Sequence, residues 1–135
     1  MELNLRELNA EDYNTTLCPW WEAYGFAPPQ REFLPENGEG GLIVYEGESP
    51  VCAGFLYETN SLAAWSEWII SDKNYSGEYK DEAVSLLIQG IEDSAKHKGF
   101  RFIFANNNNR ALVKHYKNNG YTVGCTDSTE IIKAI

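Results

Sequence analysis

The chain has 135 residues, with 20 acidic side chains against 11 basic ones and a formal net charge of -9 at pH 7. That length suits one domain, residues 1–135, with a core of its own. Phosphate binding draws on clustered Lys and Arg, which are missing here, so nucleic acid is excluded as a partner and the charge leans toward a cationic or neutral one.

No apolar run approaches the ~20 residues of a membrane span, so no membrane partner is expected. The opening "MELNLRELNAEDY" lacks a basic stretch followed by an apolar one. No signal peptide is read there, and a cytoplasmic location is expected. Cys18, Cys52 and Cys125 are scattered and without CxxC spacing, which points to reduced thiols rather than disulfides or a metal site. His97 and His115 lie among lysines in helical stretches and read as solvated residues.

"LNLREL" (3–8) alternates apolar and polar, as a half-buried strand does. Asn9 can cap a helix starting at Ala10, with Asp12 as reciprocal cap. Pro19 should interrupt that helix and open a second through "PWWEAY", stopped by Gly25. Pro28, Pro29 and Pro35 mark a long loop to Gly41.

"GLIVYE" and "VCAGFLYE" read as two strands of a hairpin across "GESP", and "AAWSEWIIS" as a third. In "KDEAVSLLIQGIEDSAKHKG", Val84, Leu87, Ile88, Ile91 and Ala95 fall on one helical face, and Gly99 is the stop. "FRFIFA" is a short apolar strand, expected to be covered on both faces. A helix from Arg110 to Asn119 ends at Gly120, and "YTVGC" and "TEIIKAI" read as the last two strands. The strand-helix-strand unit from Trp65 to Phe104 should be a parallel crossover. The expected fold is therefore α/β (α+β), a mixed and mostly antiparallel sheet of about six or seven strands with helices on both faces.

With that order in hand, the chain resembles the GNAT superfamily of N-acetyltransferases over nearly its whole length. The best local match is "NNNNRALVKHYKNNGY". Asn109, Tyr116, Gly120 and Tyr121 stand where many GNAT members carry an Asn, a Tyr on the following helix, then Gly and an aromatic. Gly54 also resembles a glycine common in the family's third strand. The chain looks like small GNAT-like proteins carried by phages as well.

The resemblance implies acetyl transfer from acetyl-CoA, as cosubstrate, to an amine, by direct attack in a ternary complex. The acceptor would be a small-molecule or peptide amine, and a homodimer is left open. The cofactor would lie where "AAWSEWIIS" and "FRFIFA" splay apart, against the backbone of Ile69 and Ile70 and beside Asn106 and Asn109. Tyr116 would stand near the sulfur. A phenol suits protonation of a departing thiolate, because its reference pKa of ~10 lies above that of a thiol. The amine must lose a proton, and Glu67 is the first candidate base, with Glu58 second. Beside these roles stand plainer ones: Tyr116 as core filler, Glu67 as an exposed strand residue, Asn109 as a helix cap. The first helices usually wall the acceptor site in this family, so Trp20, Trp21 and Glu22 are candidates to hold an amine by cation–π contact and charge, or simply to pack on the sheet.

One stretch departs from the family. The CoA pyrophosphate loop, Gln/Arg-x-x-Gly-x-Gly/Ala, falls on "EYKDEA", Glu78 to Ala83. Its expected contacts are Tyr79, Lys80, Asp81 and Ala83, but only Ala83 keeps the pattern. Asp81 and Glu82 put negative charge where phosphate belongs, with Lys80 as compensation. A catalytically inactive GNAT-like binding or accessory protein is the alternative this loop supports.

Overall fold

A computed structural model describes residues 2–135. One sheet holds five strands in the order β1-β2-β3-β4-β5: Leu3–Glu7, Gly41–Glu46, Ser49–Tyr57, Ala63–Ser71 and Phe102–Phe104. The first three junctions are antiparallel, and β4 and β5 are parallel. Parallel neighbours need a crossover, which is α2, Lys80–His97.

The apolar face foreseen for α2 is buried: Val84, Leu87, Ile88, Ile91 and Ala95 pack on Val44, Cys52 and Leu56 of the sheet. Each large side chain of this kind contributes about 1.5–3 kcal/mol when fully buried. α3, Arg110–Asn118, lies on the same face and adds Tyr116 and Leu112. α1, Cys18–Ala23, covers the other face with Trp20 and Trp21, joined by Leu17 just before it, against Ile43, Ala53, Phe55 and Ile70.

Two glycines allow close approach inside the sheet. A Cβ on Gly41 would collide with the carbonyl oxygen of Gly54, across the β2–β3 ladder. A Cβ on Gly54 would meet Ile69 Cγ1 at 2.9 Å and Ile91 Cδ1 at 3.1 Å, so Gly54 is where β4 and α2 close onto β3.

Four expectations are corrected. The first helix begins at Tyr13 rather than Ala10, and it opens with a π-helical turn, Tyr13–Leu17, that runs directly into α1. Pro19 offers no N–H to its own helical turn, and the wider preceding turn carries the chain through instead of stopping it. Asn9 and Asp12 still cap each other: Asn9 Oδ1 accepts from the amides of Glu11 and Asp12, and Asp12 Oδ2 accepts from the amide of Asn9 at 2.8 Å. The long loop is partly ordered as two 3₁₀ turns, Arg31–Phe33 and Pro35–Gly38. β5 is covered on one face only, with Phe102 and Phe104 exposed.

Finally, "YTVGC" and "TEIIKAI" form no strands, so among the described residues the sheet has five strands rather than six or seven. Residues 122–135 are exposed throughout. A period-two pattern becomes a strand only where an edge is within reach, and β5 offers an edge of three residues.

Candidate active site

β4 and β5 pair over three positions, Ala63↔Phe102, Ala64↔Ile103 and Trp65↔Phe104, and then part. β4 continues along β3 as far as Ser71. Among the described residues, its other edge has no strand partner from Ser66 onward. An edge of this kind presents backbone N–H and C=O groups for pairing, and it includes Ile69 and Ile70.

The asparagine run explains why β5 turns away. Asn107 Oδ1 accepts the amide of Asn109 at 3.1 Å, closing a tight turn. Asn109 Oδ1 then accepts the amide of Leu112 at 3.0 Å and caps α3. Asn106, just past β5, donates its amide to Glu67 Oε1 at 3.0 Å and ties the two sides of the fork together.

Glu67 and Tyr116 stand on opposite faces of β4. Glu67 is opposite Phe55, on the α1 face. It is half-buried, and that burial pushes its pKa above the ordinary carboxylate value; the Asn106 amide opposes the shift and the charge of Glu130 adds to it. Tyr116, from α3, reaches the α2 face and is buried. Its hydroxyl lies 2.8 Å from Ser66 Oγ. Burial raises its pKa strongly, so the phenol stays protonated near neutral pH. Tyr121 packs edge-on against the Tyr116 ring, with centroids 4.8 Å apart. The plainer reading of Tyr116 as a packed residue is therefore met, and its hydroxyl also lies against Ser66, the first residue of β4 past its pairing with β5. Ser66 drew no attention in the sequence, where a serine in a strand carries no signal until its partner is known.

Trp68 is the other residue missed. Ala53 pairs with Ile70 and Phe55 with Glu67, so Trp68 and Ile69 together oppose Gly54 in a β-bulge. Trp68 takes a φ of 60°, a left-handed conformation that is a genuine outlier for a bulky residue. Such a bulge comes from long-range register, and nothing in "SEWII" announces it.

At the start of α2, the first helical bond runs from the Ala83 amide to the Tyr79 carbonyl at 2.9 Å. The amides of Lys80, Asp81 and Glu82 precede it and have no helical partner. Among the described residues, no side chain caps this end. Asp81 is exposed, and its carboxylate lies 3.4 Å from His115 Nε2 across a cleft of about 570 Å³ between α2 and α3. Ala83 is fully buried and can offer only backbone. Tested against CoA, the fork's free strand edge fits an extended amide-bearing arm. The helix terminus fits an anion in its backbone and opposes one in its side chains.

Of the acceptor candidates, Trp20 and Trp21 are buried in the α1-face core and only Glu22 is exposed. Glu58 is paired with Lys98 at 3.0 Å and borders a separate cleft with Glu7, Glu36 and Glu39.

No protein-family model matches the chain. No curated protein matches it in sequence either. Solved structures do match in shape. An aminoglycoside acetyltransferase from an uncultured soil metagenomic sample, solved with sisomicin, is 15% identical with a TM-score of 0.68, covering 98% of this chain and 96% of its own. A GNAT-family acetyltransferase from Streptococcus pneumoniae is 14% identical with a TM-score of 0.65, covering 98% of each chain. A transcriptional regulator from Bacillus halodurans is 13% identical with a TM-score of 0.71, covering 97% of this chain and all of its own. At these identities the likeness is one of fold, and the fold of this chain is that of the GNAT acetyltransferases.

Proposed function

We propose that the chain is a cytoplasmic N-acetyltransferase, taking acetyl-CoA as cosubstrate and a small-molecule or peptide amine as acceptor. One observation carries the reading: β4 and β5 part at Ser66, with a carboxylate on one face of the fork and a phenol on the other. Acetyl transfer to nitrogen needs a base for the amine and an acid for the leaving sulfur, held on either side of the carbonyl.

In this reading Glu67 takes a proton from the ammonium group, and its raised pKa brings it nearer the working range of a base at neutral pH. The freed amine attacks the acetyl carbonyl carbon, the C–N bond forms and the C–S bond breaks. Tyr116 gives its hydroxyl proton to the sulfur, the second proton that nitrogen sheds as the amide forms makes good that loss, and Ser66 Oγ, 2.8 Å away, hydrogen-bonds the phenol oxygen throughout. The thioester supplies the activated acyl group. The free edge at Ile69 and Ile70 would hold the arm, with Asn106 beside it. The amides of Lys80 and Asp81 would meet the pyrophosphate, with Tyr79 and Ala83 flanking them. Asn109 contributes by shaping the turn.

The test is acetyl-CoA binding, followed by turnover of an amine panel. Cofactor at 100-fold over its Kd should add roughly 2.7 kcal/mol to stability. An unchanged melting temperature at millimolar acetyl-CoA would remove the enzyme reading. A second reading, an accessory protein without transferase activity, is favoured by Asp81 and Glu82 at the terminus of α2. Binding of CoA without turnover of any amine would select it.

A further inference from the structure

Three exposed aromatic rings gather on the α1 face beside Glu67. Trp65 precedes it by two residues on the same face and is 37% exposed, and bulged Trp68 follows and is 39% exposed. Phe104 stacks on Trp65 with centroids 5.0 Å apart and planes at 27°. Trp21, from the core, meets Trp68 edge-on at 6.3 Å and 85°. Each tryptophan is thus braced by a second ring while keeping a third of its surface open.

Folding alone does not account for this arrangement. Large aromatics gain stability by being covered, and these are not. Trp68 also holds a left-handed backbone conformation that glycine adopts freely and a tryptophan does not. Strain of this kind concentrates where a ligand is gripped. What the two indoles share is a neighbour: Glu67 stands between them in the strand, on the same face. Aromatic faces around one negative charge make a setting that favours an ammonium group by cation–π attraction and repels a carboxylate. The net charge of -9 acts in the same direction at longer range.

We propose that Trp65 and Trp68 flank Glu67 as an acceptor clamp, and that the acceptor is a protonated primary amine on an apolar body with no acidic group beside the nitrogen. The proposal rests on the acetyltransferase reading and supplies its substrate class. An arylalkylammonium meets every element of the clamp. A free α-amino acid brings its own carboxylate against Glu67, and a polyhydroxylated amine has no apolar body to place on the rings.

The test compares the wild-type protein with Trp68→Gly and Trp68→Phe, using phenethylamine, glycine and an aminoglycoside as probes. Glycine fits the φ of 60°, so Trp68→Gly should keep or raise the melting temperature. Its KM for phenethylamine should rise roughly tenfold, the scale of a lost cation–π contact, with acetyl-CoA binding unchanged. Trp68→Phe should recover part of the loss. Phenethylamine binding is also measured directly, by calorimetry without cofactor. That arm stands even if no turnover occurs, when the acetyltransferase reading alone would fail. Weaker phenethylamine binding in Trp68→Gly supports the clamp. Equal KM and equal binding in both proteins, preference for glycine, or no binding of phenethylamine to the wild type overturns it.

Discussion

β3 and β5 lie two places apart in one sheet and are built to different ends. β3 holds six consecutive buried residues, Val51–Leu56, paired along both edges. β5 is three residues long, has no buried residue and is paired along one edge among the described residues. Where pairing is complete, the sequence is apolar and buried and includes a glycine. Where pairing stops, the side chains carry chemistry: Glu67 with a raised pKa, Ser66 with its phenol partner, Trp68 in a strained conformation. Packing and reactivity are thus divided between the centre of the sheet and its edge.

That division can be broken most severely at its rigid end. Gly41→Ala drives a methyl group into the Gly54 carbonyl, where only backbone can yield. The expected loss is several kcal/mol, a large part of the 5–15 kcal/mol that holds a domain together. A thermal melt near that of wild type would mean that the centre is less tightly set than described.

At the edge the same size of effect should fall on rate instead of stability. Glu67→Gln should lower kcat/KM by ~10²–10⁴-fold and leave the fold intact. The sign of its stability effect follows from the raised pKa. Ionised Glu67 is disfavoured in the folded state, so Gln should match or exceed wild-type stability at pH 7. That advantage should disappear below the ordinary pKa of 4.5. In wild type, kcat/KM should fall as pH drops through the raised pKa, and the variant should lack that limb.

Tyr116→Phe probes the boundary between the two regions, since the ring is packed and the hydroxyl is not apolar. Turnover should drop by ~10²-fold with little change in cofactor affinity. Stability should fall by about 1 kcal/mol as Ser66 loses its partner. Loss of stability with no loss of rate would assign Tyr116 wholly to the packed side.

Asp12→Asn sharpens the picture at the other edge strand. Burial favours the protonated acid, yet Arg6, at 2.8 and 3.0 Å, and the Asn9 amide outweigh it and lower its pKa. The variant should lose about 1–3 kcal/mol at pH 7. The wild type should give up that margin as pH falls below the usual 3.8, read by melts across pH. The smallest effect is expected from Asp81→Gly with Glu82→Ser, which should tighten CoA binding a few-fold, on the order of 1 kcal/mol, and less in high salt.

Much of this was legible beforehand, for local reasons. α2 shows its face by spacing, Asn109 its cap by position, and the β2–β3 hairpin its turn by composition. The fork was readable through the resemblance around Asn109 and Tyr116. What stayed hidden depends on contacts between distant residues. The packing of Trp20 and Trp21 on the sheet was foreseen as their plainer role, but their partners, Phe55 and Ile70, were not. The left-handed turn at Trp68 sits in a bulge opposite Gly54, and that register shift between β3 and β4 is not written in the local sequence. The alternation in residues 121–135 is real in the sequence, but the edge it would need is three residues long.

The four tryptophans record the same division optically. Trp20 and Trp21 are enclosed, at 7% and 4% exposure, while Trp65 and Trp68 face water at the fork. Indole emission moves to longer wavelength with solvent contact, so the protein carries a blue pair in its core and a red pair at its site. A soluble quencher should reach the red pair alone, and a ligand seated at the fork should shield it. Denaturation, by contrast, should bring the blue pair into the red pair's range.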